Sequence, residues 1–476
     1  MKVNNAELLG KQNVKKVLIY LSVPAILGMV VNALYNFVDT LFVSIGVGEI
    51  AIGGLAFAFP VQMIAMAVSL MIGMGSASIF SRAFGRGDSE TMKSTVNTAL
   101  RYAFISSIIM SVLGFIFLDD LLIFFGASEA NIDFGRDYLF VILIGLAPLS
   151  LTQVLNNLTR AEGRAKIAMY SMIIGTGLNI ILDPIFIFDW GFGLGVSGAA
   201  IATVISQIVA FIYIISVSLG SKSSLMISLK KIFNIPLKMV KEITIIGFPS
   251  FLRNSIGAFL AIIIYRLIGK YVEGDPAIYI SIYGVINRVI SFVFMPAFGL
   301  IQGMTPIVGF NYGAKNHERL KTVIRFTTKI MMVYFFFGFL FITFLSESIF
   351  KLFSENDNTL FIQTGSEAFK IIALGFLLVG FQIIISSVYQ AIGYPLRAMI
   401  VAISRQVILF IPLSFILTSL MGLSGLWVSF AISDAVAGLI GLGLLLYEMK
   451  AIEKRIPKTS LDDIPEYEPD LSATVS

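Results

Sequence analysis

Two carboxylates stand inside apolar stretches of the first half of the chain, each among other oxygen donors at helical spacing. Asn32, Tyr35, Asn36 and Asp39 fall at i, i+3, i+4 and i+7, one stripe of an α-helix. Asn179 and Asp183 are i and i+4, and Pro184 follows directly, removing a backbone donor where the helix can bend. Thr203 and Gln207 repeat the i, i+4 spacing, while Tyr138, Gln153, Asn156 and Asn157 bring further polar groups into another apolar run. Two carboxylates with amide and hydroxyl oxygens suit a hard cation such as Na⁺. They equally suit proton uptake, because burial and a neighbouring like charge both favour the neutral carboxyl. The structural alternative is polar glue between helices, worth about 0.6–2 kcal/mol per hydrogen bond. That explains a lone Asn or Thr, but two acids facing one cavity call for a functional role.

Other chemistries are excluded by what is missing. There is no cysteine and a single histidine, His317. Disulfides, zinc thiolates, iron–sulfur clusters, a cysteine nucleophile and a histidine metal site are therefore out. No nucleophile–base pair stands at helix spacing, so the chain does not read as an enzyme, and no cofactor is expected beyond a coupling ion. Gly193-Leu-Gly195-Val-Ser-Gly198 fits GxGxxG. The dinucleotide fingerprint needs a strand before it and a ribose-binding acid about 20 residues on; here an apolar run precedes it, and it reads as a turn. No GxxxxGK[ST] occurs, so the chain has no Walker ATPase of its own. His317 lies in a basic loop and reads as solvated. Met63, Met66, Met71 and Met74 read mainly as packing.

The elements that position the acids follow from composition. The 476 residues are 57% hydrophobic and only 13% charged, with mean hydropathy +0.90. A soluble domain averages about 45–50% apolar and about 25% charged, so this chain cannot cover a water-facing surface. A bilayer core of about 30 Å needs about 20 mostly apolar residues per helix. Twelve runs qualify: 16–43, 52–80, 95–118, 137–158, 167–188, 196–219, 243–269, 277–308, 323–346, 366–390, 397–419 and 424–447. Lys and Arg collect in alternate connections, for example Arg82, Arg86 and Lys93, or Lys315, Arg319 and Lys321. The other connections are acidic, with Asp119, Asp120, Asp133, Glu273, Asp275 and Glu347 among them. The basic side is expected in the cytoplasm, with both termini inside. The net charge of +5 is thus a topology signal and gives no sign of nucleic acid. A multi-pass protein of the cell (inner or plasma) membrane, in contact with the lipid bilayer and monomeric, is expected.

The chain repeats itself. Pro24 matches Pro249, the segment from Ser81 matches that from Gly309, Arg160-Ala-Glu-Gly163 matches Gln390-Ala-Ile-Gly393, and Ser197-Gly198 matches Ser424-Gly425. The offset stays within a few residues throughout. Six spans per repeat is an even number, so both halves enter from the same side, related by an axis along the membrane normal. The expected fold is an all-α polytopic membrane protein with 12 transmembrane helices in two pseudo-symmetric six-helix lobes. It divides into a cytoplasmic N-terminus 1–15, an N-lobe 16–219, a linker 220–242, a C-lobe 243–447 and a disordered cytoplasmic tail 448–476. The basic, amphipathic stretch from Lys230 to Lys241 is expected along the cytoplasmic interface.

The second half differs in its charges. Ile264 stands where the first half has Asp39, and the ionisable residues within its spans are Arg253, Arg266, Arg288, Arg405 and Asp434. Pairing of Asp434 with Arg405 or Arg288 is one reading of them, and a substrate role is the other. The cation chemistry is confined to the first half.

These features together resemble the multidrug and toxic compound extrusion family, known as MATE. The resemblance is carried by Tyr35-Asn-Phe-Val-Asp39, Arg82-Ala-Phe-Gly-Arg-Gly-Asp88, Arg160-Ala-Glu-Gly163 and Asn179-Ile-Ile-Leu-Asp183-Pro184, in order within two six-span halves. It runs from about residue 10 to 450 and is nearest the DinF-like and archaeal branch, which keeps its cation acids in the first half. It implies a V-shaped pair of lobes, alternating access, and export of small organic cationic or amphipathic drugs against H⁺ or Na⁺. By that likeness Asp39, Asn179, Asp183 and Thr203 would form the cation site, holding the metal if the ion is Na⁺, with Tyr35 and Tyr138 in the surrounding network. Asn32, Tyr35, Asn156 and Met172 would line the drug cavity. The rival is a lipid-linked saccharide flippase of the related superfamily, which would turn the C-lobe arginines toward the cavity.

Overall fold

Apolar segments without water to bond their backbone must satisfy every N–H and C=O internally, and the helix is the local way to do so. The computed structural model describes residues 5–127, 131–220, 223–228, 236–272, 274–354 and 358–455. The side chains of residues 35–37, 40, 49–54, 258, 453 and 455 lie outside that description. The described first half holds α1 (Asn5–Gly10), α2 (Val14–Val47), α3 (Glu49–Arg86), α4 (Ser89–Ile116), α5 (Leu118–Phe124), α6 (Ile132–Ile144), α7 (Leu146–Ala161), α8 (Ala165–Ile187) and α9 (Gly195–Leu219). The second half holds α10 (Leu237–Tyr271), α11 (Pro276–Gly313), α12 (His317–Leu352), α13 (Thr359–Ala373), α14 (Phe376–Ala391), α15 (Pro395–Ile403), a π-helical stretch Ser404–Phe410, α16 (Ile411–Met421) and α17 (Leu423–Arg455).

Among the described residues ten spans are long and apolar enough to cross a membrane, and the count reaches 12 if each of two bent pairs is one span. The pairs are α6 with α7, bent by 54°, and α13 with α14, bent by 50°. Their breaks fall at Gly145 and at Leu374-Gly375, equivalent places in the two repeats. The turns that follow α7 and α14 also match, with Gly163 and Gly393 both at positive φ (+89° and +84°). The internal repeat is therefore visible in the backbone as well as in the sequence.

Several boundaries depart from expectation. Ser81–Arg86, expected as a loop, is the end of α3; left-handed Gly87 stops it, and Asp88 caps α4 by accepting from the Thr91 amide at 2.9 Å. The residues from 448 to 455, expected in the tail, continue α17, and α10 begins at Leu237 inside the expected linker. The remainder of the tail, and residues 230–235 of the Lys230–Lys241 stretch, lie outside the described residues. His317 is buried rather than solvated. Asn316 caps α12 through the Arg319 amide at 3.1 Å, and the ring of the first helical residue lies beside Glu318, Nε2 to Oε1 3.2 Å.

The lobes meet through α2, α3, α10 and α11 at the ends that carry Lys and Arg. Where apolar lipid surrounds the helices, association rests on close packing, which small residues permit. Gly75 on α3 lies against the Ile243 carbonyl, and Gly247 on α10 lies against the Met71 carbonyl, backbone to backbone in both directions. Ser78 Oγ donates across the seam to the Gln390 carbonyl at 2.6 Å. The short α1 straps the same end: the Leu9 carbonyl accepts from Asn311 Nδ2 at 3.1 Å and Arg319 Nε at 2.9 Å. Toward the acidic ends apolar side chains such as Ile45, Phe259 and Ile262 are exposed.

Candidate functional site

The acids sit in the N-lobe, where α2, α8 and α9 pack together. Small residues bring the backbones close. A Cβ on Gly28 of α2 would meet Met172 Sδ of α8 at 2.9 Å, and Gly46 abuts Ile187 and Phe188. The helical period then turns Asp39, Asn179, Asp183 and Thr203 to one place. Asn179 and Asp183, one turn apart on α8, share a face directed at α2 and α9. Pro184 lies within α8, and the helix continues past it to Ile187, with the Phe188 amide returning to the Pro184 carbonyl at 3.3 Å.

Asn179 Nδ2 donates to Asp183 Oδ1 at 3.0 Å and to Thr203 Oγ1 at 3.2 Å. Asp39 reaches in from α2, its carboxyl within hydrogen-bonding range of Asp183. Asp183, Asn179 and Thr203 are almost wholly buried. Three buried oxygens, Asp39 Oδ1, Asp183 Oδ2 and Asn179 Oδ1, have no donor among the described residues. Unmatched buried acceptors are costly, since each forfeits its hydration. Among the described residues no Lys or Arg acts electrostatically on either acid, so the charge has no compensating partner there. A proton shared between the carboxyls, or one cation among the oxygens, meets this need. No group of three His, Cys, Asp or Glu side chains suited to a metal occurs among the described residues, so a multidentate transition-metal centre does not fit the same place.

The other expected residues are more scattered. Tyr138 packs in an apolar cluster with Val43, one turn from Asp39 toward the acidic end. Asn32 is half-buried on α2, two turns toward the basic end. Met172 is wedged against Gly28 in the α2–α8 contact. Asn156 is buried on α7 with Oδ1 lacking a donor, and no hydrogen bond joins it to the acid cluster among the described residues. The side chain of Tyr35 lies outside the described residues. Sequence spacing favoured Gln207 on α9 and passed over Ser206, whose buried hydroxyl has no partner among the described residues. A small hydroxyl inside an apolar helix gives little signal, and only its burial toward α8 distinguishes it.

In the C-lobe the position equivalent to Asp39 is filled by fully buried Ile264. Arg405 Nη1 donates to Asp434 Oδ1 at 3.1 Å, while Arg266 and Arg288 are exposed. The ion pair was one of the two partnerships anticipated for Asp434, and Arg405 takes it.

The MatE family model matches residues 24–185 and 249–416, one segment in each lobe. The multidrug export protein MepA of Staphylococcus aureus (strain MSSA476) is 27% identical over 440 residues, 92% of this chain and 95% of that one. A multidrug resistance MATE transporter of the MOP superfamily, solved in an outward-facing conformation, superposes with TM-score 0.87 at 26% identity, over 95% of this chain and 99% of that one. A MATE structure in a bent conformation gives TM-score 0.87 at 27% identity over the same shares. With two matching half-repeats, a twelve-span, two-lobe architecture and this global superposition, the chain belongs to the MatE family of membrane transporters.

Proposed function

We propose that this protein exports small organic cationic or amphipathic compounds, multidrug fashion, by exchange with H⁺ or Na⁺. The carrying observation is the pair Asp39 and Asp183, with Asn179 and Thr203, whose buried oxygens lack donors. The multidrug export and multidrug resistance of the relatives support the cargo class. The positive-inside rule makes the joined, basic end cytoplasmic, with both termini inside, and the open end external. A coupling ion then enters from outside, neutralises or ligates the acids, and lets α2 repack against α8. That movement alters the cleft and releases cargo outward, after which closure of the acidic end and parting of the basic seam return the site to the cytoplasm.

The driving force is sufficient. One charge crossing 100 mV is worth about 2.3 kcal/mol, and a tenfold gradient needs about 1.4 kcal/mol. Asn32, Tyr35, Asn156 and Met172 are assigned to cargo contact, Met172 from its place in the α2–α8 contact. The drug-export reading is preferred to the flippase because the relatives are a multidrug export protein and a multidrug resistance transporter. The test is drug susceptibility of an efflux-deficient bacterial host. The wild-type chain should raise resistance to cationic dyes, and Asp39→Asn, expressed at the same level in the membrane, should not. Equal resistance from the two would overturn the coupling assignment.

A further inference from the structure

The C-lobe holds its own charges at membrane depth, two half-buried arginines and one buried acid, on the helices that correspond to α2, α8 and α9, with the prevailing sign reversed. Arg253 is on α10, Arg405 is in the π-helical stretch Ser404–Phe410, and Asp434 is on α17. At 1.5 Å per residue all three lie about 15–25 Å from the start of their spans, within the hydrocarbon depth. Arg405 bonds Asp434 and lies 5.7 Å from the centroid of the Phe294 ring. Asp434 in turn packs on Gly375 at the α13–α14 break. Arg253 is within Coulombic range of Arg405, and no carboxylate among the described residues neutralises it.

Guanidinium groups stay protonated throughout the accessible pH range. Two cations and one anion therefore leave one positive charge without a partner at membrane depth, where an unpaired charge is strongly disfavoured. Arg405 also sits where the helix widens into a π-turn, a local form that recurs at functional sites. Phe294 beside the guanidinium, and Phe410 against Phe430 with centroids 4.2 Å apart, give an aromatic wall.

We propose that Arg253 and Arg405 form a site for one monovalent anion inside the C-lobe, filled by the carboxylate of an amphoteric cargo or by a free halide. Anion binding itself stands apart from the efflux reading; its service to cargo rests on that reading. The cleft would then offer acids in one lobe and a positive site in the other, so compounds carrying both charges join the substrate range.

The test is calorimetric titration of the purified full-length protein, in halide-free detergent buffer, with benzoate and separately with chloride. The wild type should bind one anion saturably. Arg253→Gln should weaken binding by about tenfold or more, as loss of a charge-assisted contact predicts, and Arg253→Lys should recover part of it. Benzoate binding indifferent to chloride assigns the site to cargo carboxylates; competition between them assigns it to halide as well. Wild-type protein that binds neither anion overturns the proposal, as does Arg253→Gln binding like wild type. Should Arg253→Gln fail to elute as a monodisperse peak, the wild type and Arg253→Lys titrations decide alone. A protein that binds benzoate yet exports neither cationic nor amphoteric dye keeps the site and sinks the efflux reading.

Discussion

Gly247→Val should loosen the seam that closes the basic end. Gly247 faces the Met71 carbonyl, and Gly75 faces the Ile243 carbonyl, so α3 and α10 cross with their backbones in contact. A side chain there meets main chain that has no rotamer to change, and the helices must part. Overpacking of this kind costs about 1–3 kcal/mol, which lowers the closed population relative to the parted one by about 5- to 150-fold. The chain lacks cysteine, so an introduced pair reports without background. A Cβ on Gly309 of α11 would lie 3.0 Å from Ser81 Cβ of α3, slightly inside the disulfide range of about 3.5–4.5 Å. The Ser81→Cys/Gly309→Cys pair should cross-link rapidly with mild oxidant and stop transport until reduced. Adding Gly247→Val should slow the initial cross-linking rate, by at most the factor above, since the rate follows the closed fraction. Gly257→Val on the same helix, at a position with nothing within 4 Å, should not. An unchanged rate with Gly247→Val would refute the close-packed seam.

Three further outcomes are expected. Glu162, in the turn between α7 and α8, is fully buried, which pushes its carboxyl above the ordinary 4.5, while Arg164 and the Ser223 and Ser224 donors pull back less. A raised folded-state value means its contribution to stability is whole below pH 4.5 and is lost as pH rises through the folded value. Melting of Glu162→Gln should therefore fall less steeply than wild type as pH is raised from 4.5. Asp434→Ala leaves Arg405 beside a lost partner and should destabilise by about 3–5 kcal/mol in denaturant titration, whereas Arg405→Met/Asp434→Leu should be near neutral. Asn179→Ala removes the donor to Asp183 and Thr203. It should lower stability by about 1 kcal/mol and raise the ion concentration needed for half-maximal dye efflux.

The spans and the repeat were legible because hydropathy and even spacing are imposed by the bilayer, whatever the detailed packing. The acid cluster was legible because charge at membrane depth demands a reason, and helical spacing put Asn179 above Asp183. The 54° and 50° bends were not. An apolar run through Gly145 or Gly375 reads the same straight or bent, and packing chooses. Arg82 and Arg86 suggested a loop, yet a helix carries charges freely once it leaves the hydrocarbon, so α3 simply runs on. His317 read as solvated because its neighbours are basic, but Asn316 starts a helix there and draws the ring inside. Met172 is attached to cargo by family likeness, and its close approach to Gly28 of α2 is a packing fact that sequence alone does not contain. The partner of Asp434 was narrowed to two arginines, and only the fold could choose between them.

The central claim is that Asp39 and Asp183 couple cation entry to cargo exit. It is tested most directly by fluorescent cationic dye efflux from proteoliposomes, driven separately by a Na⁺ gradient and by a pH gradient, with Asp39→Asn alongside. One gradient should drive efflux by the wild type, naming the ion, and Asp39→Asn should show none above empty liposomes. Gradient-driven efflux that survives Asp39→Asn, or none from the wild type under either gradient, would contradict it.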